Sequence, residues 1–286
     1  MTIMNILAPL TGGQSDEAVM RNAFAASKPV GGHVRALFVR PDPAQAMPYF
    51  GDEMVPSIAQ EIVDTSRRAS DKAAAAAREV VTRTAQEAGA QVVETPAPGN
   101  TVSFREIQGY FADCVTRVAQ LADLVVFGPL KDGGRPGMTE AFEAVLVETG
   151  RPALLSAGTP PGDFAGRIAI GWNASREGAH AISAALPYLT QAKAVEILTV
   201  RSGSVEPPPN GEILEYLHLH SVHAGVRVVD AGDRGIGQAL LDSAGEGHAD
   251  LLVAGSYGRR RLREIFAGGV MRQILNQATL PLFLMR

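Results

Sequence analysis

The chain repeats itself, and this internal repeat constrains the fold more than any other feature of the sequence. Three segments of the first half occur again, in the same order, in the second half. Repetition of this kind indicates two copies of one folded unit. The matching pairs are NILAPLTGG (5–13) with RIAIGWNAS (167–175), ADLVVFG (122–128) with ADLLVAG (249–255), and RPALL (151–155) with LPLFL (280–284).

Each copy alternates short apolar runs, typical of buried strands, with segments of helical periodicity. Such alternation indicates parallel strands joined by right-handed crossovers, with helices on both faces of the sheet. The predicted fold is therefore α/β, with two tandem doubly wound, Rossmann-like parallel-sheet domains of about five strands each. In the first half we predict strands at 5–10, 34–39, 91–95, 123–127 and 153–156, a helix capped by Ser15 or Asp16, and helices at 57–88, 111–121 and 139–148.

A Pro-rich segment separates the two copies. Residues 157–165, AGTPPGDFA, have the composition of a domain boundary. We therefore predict domains at 1–157 and 166–286. The first is longer because it contains a Pro-rich loop and a long helix, which the alanine run at 73–77 favours.

Composition excludes several classes of protein. The chain has 286 residues, of which 46% are hydrophobic, so it can form a core without disulfide bonds or bound metal ions. Its net charge of −4 provides no basic excess for non-specific nucleic-acid binding. No apolar run reaches the roughly 18 residues of a membrane span, and Met1 leads directly into a strand-like segment, so we expect a cytoplasmic protein. Cys114, the one cysteine, is expected to be a small buried apolar residue.

A glycine-rich loop between a strand and a helix is the most informative motif. The segment 251–275, LLVAGSYGRRRLREIFAGGVMRQIL, begins with an apolar run and ends with helical spacing of apolar residues. A strand, a glycine turn and a helix N-terminus present unpaired N–H groups and partial positive charge, which suits phosphate. Arg259, the first of four arginines after the turn, could add a fork of donors for phosphate oxygens.

The glycine spacing resembles the nucleotide-binding signature of the universal stress protein family. Gly255, two residues, Gly258, nine residues and Gly268 follow that signature, but Gly269 stands where the family has Ser or Thr. With the matching segments of both halves, the chain resembles a tandem universal stress protein over nearly its full length. The resemblance implies an ATP or ADP site, with or without Mg, at Asn173, Val200, Gly255, Gly258, Arg259, Gly268, Gly269 and Val270.

Two of these positions implicate the adenosine end of the nucleotide. Asn173 takes the place of a family Asp that lies by adenine and ribose, and Val200 matches a valine that meets adenine. The first half departs further, because Thr11 stands for that Asp, and Lys131 and Ala141 stand for the second and third glycines. Its site is therefore expected to be degenerate.

The resemblance also implies how the halves associate. Single-repeat members of the family pair through their last strands, so 153–156 and 280–284 are expected to pair within this chain. A homodimer of the whole chain stays open as an alternative, and the protein partner is not identified.

Other motifs favour plainer interpretations. His218 and His220 would point to opposite faces of a helix, which leaves only His220 and His223 as neighbours and argues against a metal site. TGGQSDEA at 11–18 is similar to the loop of ATP pyrophosphatases, but a capping turn explains it better. His33 and His180 have no motif partner that would indicate a catalytic triad.

The expected function is that of a cytoplasmic stress-response protein. It would bind ATP or ADP weakly in its C-terminal half and act through conformational change or partner recruitment. Two alternatives stay open: a scaffold that works without nucleotide, and a slow ATPase or adenylating enzyme. The enzyme would need a residue that activates water or an acceptor, and none is visible near 255–269.

Overall fold

A computed structural model of the chain shows one continuous sheet of 11 strands with helices on both faces. The structure describes residues 3–42, 56–130, 136–158, 162–203, 206–256 and 269–286. The strands are β1 (Asn5–Leu10), β2 (His33–Arg40), β3 (Gln91–Val92), β4 (Thr101–Gln108), β5 (Leu124–Phe127), β6 (Ala153–Leu155), β7 (Arg167–Gly171), β8 (Ala194–Arg201), β9 (Ala224–Asp230), β10 (Leu251–Gly255) and β11 (Leu282–Met285). The α-helices are α1 (Asp16–Ser27), α2 (Pro56–Ala88), α3 (Phe111–Ala119), α4 (Met138–Ala144), α5 (Arg176–Leu189), α6 (Gly211–Leu219), α7 (Ile236–Glu246) and α8 (Gly269–Gln277).

Apart from the short β3 at the edge of the first half, the two halves have the same strand order, which confirms the predicted α/β tandem fold. The sheet runs β3-β4-β2-β1-β5-β6 through the first half and β11-β10-β7-β8-β9 through the second. Neighbouring strands within each half are parallel. One apolar cluster on each face of the sheet forms the core, because crossover helices cover both faces.

The last strands of the two halves pair with each other, as expected. β11 and β6 are antiparallel, with Phe283 opposite Leu154. A buried side chain reinforces this contact, since the hydroxyl of Tyr188 donates to the carbonyl oxygen of Ala26 at 2.9 Å. The rings of Phe164 and Phe283 approach Tyr188 edge-on, at 5.8 and 6.2 Å between centroids. The halves are therefore joined by a ladder and by a shared core.

The third strand of the first half is not where the sequence predicts it. The predicted strand at 91–95 is only the two-residue β3, and the long strand beside β2 is β4, at Thr101–Gln108. The polar residues of β4 prevented its prediction as a strand from the sequence. Two of them are nevertheless buried against a histidine. Thr101 and Ser103 flank the buried ring of His33, at 2.8 Å from Nδ1 and 2.9 Å from Nε2.

The helices that precede β4 and β9 end alike but begin differently. α2 is followed by Gly89 with φ 63°, and α6 is followed after one residue by Ser221 with φ 60°. The next residue then donates its N–H five residues back, from Ala90 to Ala85 and from Val222 to Leu217. When the two helices are aligned at these C-terminal ends, the 33-residue α2 extends several turns further toward its N-terminus than the nine-residue α6. This extension is specific to the first half.

Candidate functional site

Three of the predicted site residues lie at one edge of the second half. Asn173 follows β7, Val200 is near the end of β8 and Gly255 ends β10. These strands are neighbours, since Gly171 is opposite both Leu198 and Ala254. The carboxyl ends of parallel strands meet at the same edge, where ligands of doubly wound sheets bind. The structure therefore places Asn173, Val200 and Gly255 along one candidate site.

The turn after β7 starts helix α5 and presents Asn173 to solvent. The Oδ1 of Asn173 accepts the N–H of Ser175 at 3.2 Å, and the Oγ of Ser175 caps α5 by accepting the N–H of Gly178 at 3.0 Å. Ala174 between them has φ 55° and is exposed, as Asn173 is. Within the described part of the chain, the Nδ2 group of Asn173 has no acceptor. It can donate to a ligand.

Gly255 has a packing role that the sequence did not reveal. A Cβ added there would lie 2.4 Å from the nitrogen of Gly178 and 2.6 Å from the carbonyl carbon of Glu177. The end of β10 therefore touches the first turn of α5, and only glycine allows this approach. Val200 is half-buried and packs against the apolar cluster beneath the edge.

A helix follows the glycine loop, as the motif predicts. α8 is described from Gly269 to Gln277, and Val270 packs against the core. The carbonyl oxygen of Val270 would be 2.8 Å from a Cβ on Gly237, so α8 lies close against α7. Three further predicted contacts lie outside the described residues: Gly258, Arg259 and Gly268.

The same edge holds buried polar atoms that sequence reasoning missed. Within the described ranges, the Nε1 of Trp172, the Oγ1 of Thr199 and the Oγ of Ser256 are buried without a hydrogen-bond partner. They belong to residues at or just past the carboxyl ends of β7, β8 and β10. A buried polar atom left unpaired costs about 1–3 kcal/mol. This edge thus has hydrogen-bonding capacity that the described residues do not use.

In the first half, helix α2 covers the corresponding edge. Gly12, with φ 76°, lies so close to α2 that an added Cβ would be 2.5 Å from the carbonyl oxygen of Ala73. The neighbouring cavity, of about 280 Å³, is walled on one side by Thr11 and Phe38 and on the other by α2. Asp16 also occupies this turn, because its carboxylate accepts both the N–H of Thr11, at 2.9 Å, and that of Gly12, at 2.7 Å.

Because the two halves are repeats, the turn at Gly12 can be compared residue by residue with the corresponding turn of the second half. Gly12 corresponds to Ala174, and Asp16 corresponds to Gly178. Ala174 has a side chain in the same left-handed conformation and is exposed, whereas Gly12 is packed against Ala73. Among the described residues of the second half, no helical extension like that of the first covers this turn. The two predicted sites therefore differ in access as well as in residues.

The histidines differ from their predicted arrangement. α6 ends at Leu219, so His220 and His223 are not neighbours on one helix. The rings in contact are instead those of His218 and His223, 5.8 Å apart, because the chain turns back at Ser221. Across the described ranges, no three His, Cys, Asp or Glu side chains come together to hold a metal ion.

Two further expectations concern the single cysteine and membrane-spanning helices. Cys114 is buried, as expected, and burial raises the pKa of its thiol. The charge of Arg117 lowers this pKa, and that of Asp113 raises it, each by less than burial does. Among the described helices, none has both the length and the apolar character needed to cross a membrane.

The fold of the chain is similar to that of solved structures. No protein-family model and no curated protein match the sequence. A universal stress protein from Archaeoglobus fulgidus DSM 4304 has 13% identity and a TM-score of 0.68, covering 100% of this chain and 97% of its own. A putative universal stress protein from Pseudomonas aeruginosa UCBPP-PA14 has 15% identity and a TM-score of 0.55, covering 99% of this chain and 93% of its own. Along its whole length, the chain therefore has the fold of the universal stress proteins, with two repeats in one sheet.

Proposed function

We propose that this protein is a universal stress-type regulatory module that binds ATP or ADP at the carboxyl edge of its second half. The domain limits that we propose for the two repeats are 1–157 and 166–286. The observation that carries the proposal is the difference between Gly12 and Ala174. One turn is packed under a helix, and its counterpart is open beside Asn173.

The residues at this edge suit the two ends of an adenine nucleotide. We assign Asn173 and Val200 to the adenosine end, where an exposed amide can donate to ribose or base and a half-buried valine offers an apolar surface. We assign Gly255, Gly258, Arg259, Gly268, Gly269 and Val270 to the phosphates. The helix that follows the glycine loop supports this, because N–H groups of a first helical turn attract anions.

The missing hydroxyl at Gly269 implies weak binding. A hydrogen bond to a charged group contributes about 1.5–3 kcal/mol, so its loss weakens affinity roughly ten- to a hundredfold. We expect dissociation constants in the micromolar to millimolar range. Gly269→Ser should tighten binding by about tenfold if the hydroxyl reaches the outer phosphates.

Trp172 provides the first test. It precedes Asn173, is the single tryptophan, and its Nε1 has no partner among the described residues. Titration of the full chain with ATP or ADP should change its fluorescence saturably, and nucleotide extracted from the purified protein should be adenine nucleotide. GTP serves as the matched control ligand. No fluorescence change and no extracted nucleotide would favour the scaffold that works without nucleotide.

The enzymatic alternative has its own test. Release of phosphate from ATP in the steady state, well above that of Gly258→Val, would indicate a slow ATPase. Our proposal predicts equal background release from both proteins, because binding and not turnover provides the response. Cytoplasmic location is part of the proposal and can be checked by fractionation.

A further inference from the structure

A cavity of about 280 Å³ lies at the carboxyl edge of the first half, between the sheet and α2. On the sheet side it is lined by Thr11, which follows β1, by Phe38 near the end of β2, and by Pro41 just past that end. The carboxyl ends of neighbouring parallel strands are where doubly wound sheets bind ligands. The first half therefore has space for a ligand at this edge, although α2 covers it.

The helix side of the cavity is built from small side chains. Its lining residues on α2 lie on one face of the helix, at positions i, i+3, i+4 and i+7, and all are serine or alanine: Ser66, Ala69, Ser70 and Ala73. The space is left beneath the helix because these side chains are too short to fill it.

The described residues that line the cavity carry no charge. Asp16, the acidic residue of the turn after β1, accepts the N–H of Thr11 at 2.9 Å, that of Gly12 at 2.7 Å and the hydroxyl of Thr11 at 2.9 Å. A charged ligand would lose its hydration in the cavity without gaining a lining partner of opposite charge. The lining therefore favours an uncharged molecule over a nucleotide.

The volume and the lining of the cavity suit an aromatic molecule. An apolar cavity of about 150 Å³ holds benzene, so a volume of about 280 Å³ accommodates one or two rings. Phe38 is buried at the sheet side, and aromatic rings pair favourably with one another edge-on or offset. The ring of Pro41 adds a second apolar surface. A flat apolar molecule would therefore fit between the sheet and α2.

A hydroxyl at the wall provides a hydrogen-bonding group. The Oγ of Ser70 is buried without a partner among the described residues. The hydroxyl of Thr11 is already used, because it donates to Asp16 at 2.9 Å and accepts the N–H of Gly13 at 3.1 Å. An unpaired buried hydroxyl costs free energy, which a ligand with an O–H or N–H group would recover. Ser70 is therefore the polar contact that this cavity offers a ligand.

The same edge has different chemistry in the second half. The repeat matches Thr11 with Asn173, and the register of the strands matches Phe38 with Thr199. α6 begins only at Gly211, so no helix among the described residues takes the place of the α2 face that covers the cavity. The two repeats therefore present different surfaces to a ligand, one covered and uncharged and the other open.

We propose that the first repeat binds a small uncharged aromatic molecule that carries an O–H or N–H group, in the cavity between α2 and the ends of β1 and β2. The rings would lie between Phe38 and the alanines of α2, and the polar group would bond to the Oγ of Ser70. The protein would then take a different ligand in each repeat. This binding does not depend on nucleotide in the second repeat, so the two proposals fail independently.

Indole and 2-naphthol are the probes, because both are uncharged two-ring molecules with one donor group. Each should bind the full chain saturably, at one site, in isothermal titration calorimetry. Indole-3-acetate should bind at least about tenfold more weakly than indole-3-acetamide, which has nearly the same size without the charge. No saturable binding of either probe, or equal binding of the acetate and the acetamide, would overturn the proposal.

A cavity-filling variant tests the location. Ala69→Leu should weaken indole binding at least about tenfold, because the added volume enters the space that the rings need. Ala69 is exposed, so the substitution leaves the core intact. Ala75→Leu is the matched control, since Ala75 is exposed on the same helix and does not line this cavity. Equal effects of the two variants would place the ligand elsewhere and overturn the proposal.

Ser70→Ala tests the polar contact. It should weaken indole binding about two- to tenfold and leave binding of benzofuran, in which oxygen replaces the N–H group, unchanged. The same loss for both ligands would contradict a hydrogen bond to Ser70. Gly258→Val should retain indole binding, and ADP should not displace indole from the native chain. Displacement by ADP would place both ligands at one site and overturn the proposal.

Discussion

Gly12 and Ala73 are packed so closely that no side chain fits between them. An added Cβ on Gly12 would be 2.5 Å from the carbonyl oxygen of Ala73 and 2.6 Å from its Cβ. Gly12 follows the first strand at the edge where a doubly wound sheet binds ligands, and Ala73 lies within α2. The first half therefore places its own helix where the second half leaves an open turn. This asymmetry explains why we assign nucleotide binding to one repeat.

Gly12→Ala should destabilise the protein by about 2–5 kcal/mol. The left-handed φ of 76° costs a side chain roughly 1–2 kcal/mol, and overpacking against α2 adds about 1–3 kcal/mol. Gly89→Ala is the control, because Gly89 has φ 63° but nothing within 4 Å of an added Cβ. Urea unfolding of both variants measures the difference. Equal losses would show that α2 does not press on Gly12.

The sequence predicted the parts of the fold that depend on local pattern. The strand at 5–10, the long helix at 57–88 and the pairing of 153–156 with 280–284 are all present. β4 was missed because its polar residues obscure the alternation, and their burial depends on His33, which is distant in sequence. Long-range packing of this kind overrides local propensity.

The candidate site was predicted only in part, for a similar reason. The spacing of glycines predicted Gly255 at the end of a strand and Gly269 in the helix that follows the loop. It could not show that Gly255 touches α5, or that the first repeat is covered by α2, because both contacts join segments far apart in the chain. The burial of the Thr199 and Ser256 hydroxyls also depends on tertiary packing, so it could not be predicted from the sequence.

Stability should fall when the pH drops below about 6.5, and His33 should contribute to this. Burial lowers the pKa of His33, and Arg35 lowers it further. The unfolded chain then binds more protons than the folded chain between the lowered pKa and the ordinary value, so acid favours unfolding. His33→Gln should flatten the pH dependence of the unfolding free energy between pH 7.5 and 5.5.

The geometry supports a neutral imidazole. The hydroxyl of Thr101 donates to the carbonyl oxygen of Ala97 at 2.5 Å, so its oxygen accepts from the Nδ1–H of His33, and Nε2 accepts from Ser103. His180→Gln, at an exposed histidine, is the control. A His33→Gln variant with the native pH slope would contradict this assignment.

Asp250 should act in the opposite direction. Its pKa is raised to about 6, first by burial and then by Asp163, against hydrogen bonds from the backbone, including the N–H of Arg167 at 3.0 Å. A raised carboxyl pKa means that the folded chain binds more protons, so this contribution to stability is lost as pH rises through 6. Relative to the native protein, Asp250→Asn should gain stability between pH 4 and 7. A pH-independent difference in unfolding free energy would refute the shift.

The two halves should stay associated after the connection between them is cut. A protease site inserted near Pro160, which lies outside the described residues, would leave β6 and β11 paired and Tyr188 bonded to Ala26. The cut protein should elute as one species from a sizing column under native conditions. Tyr188→Phe should lower its stability by about 1 kcal/mol, since it removes one buried hydrogen bond. Separate elution of the cut native halves would show that the ladder alone does not hold them.

The most direct test of the account is the stoichiometry of ADP binding, measured by isothermal titration calorimetry on three proteins. The native chain should bind one ADP. Gly258→Val should abolish binding, because a β-branched side chain would block the turn and the approach of phosphate. Thr11→Val, at the covered edge of the first repeat, should leave both affinity and stoichiometry unchanged. Two sites per chain, no site, or binding lost in Thr11→Val and retained in Gly258→Val would contradict the assignment of nucleotide to the second repeat.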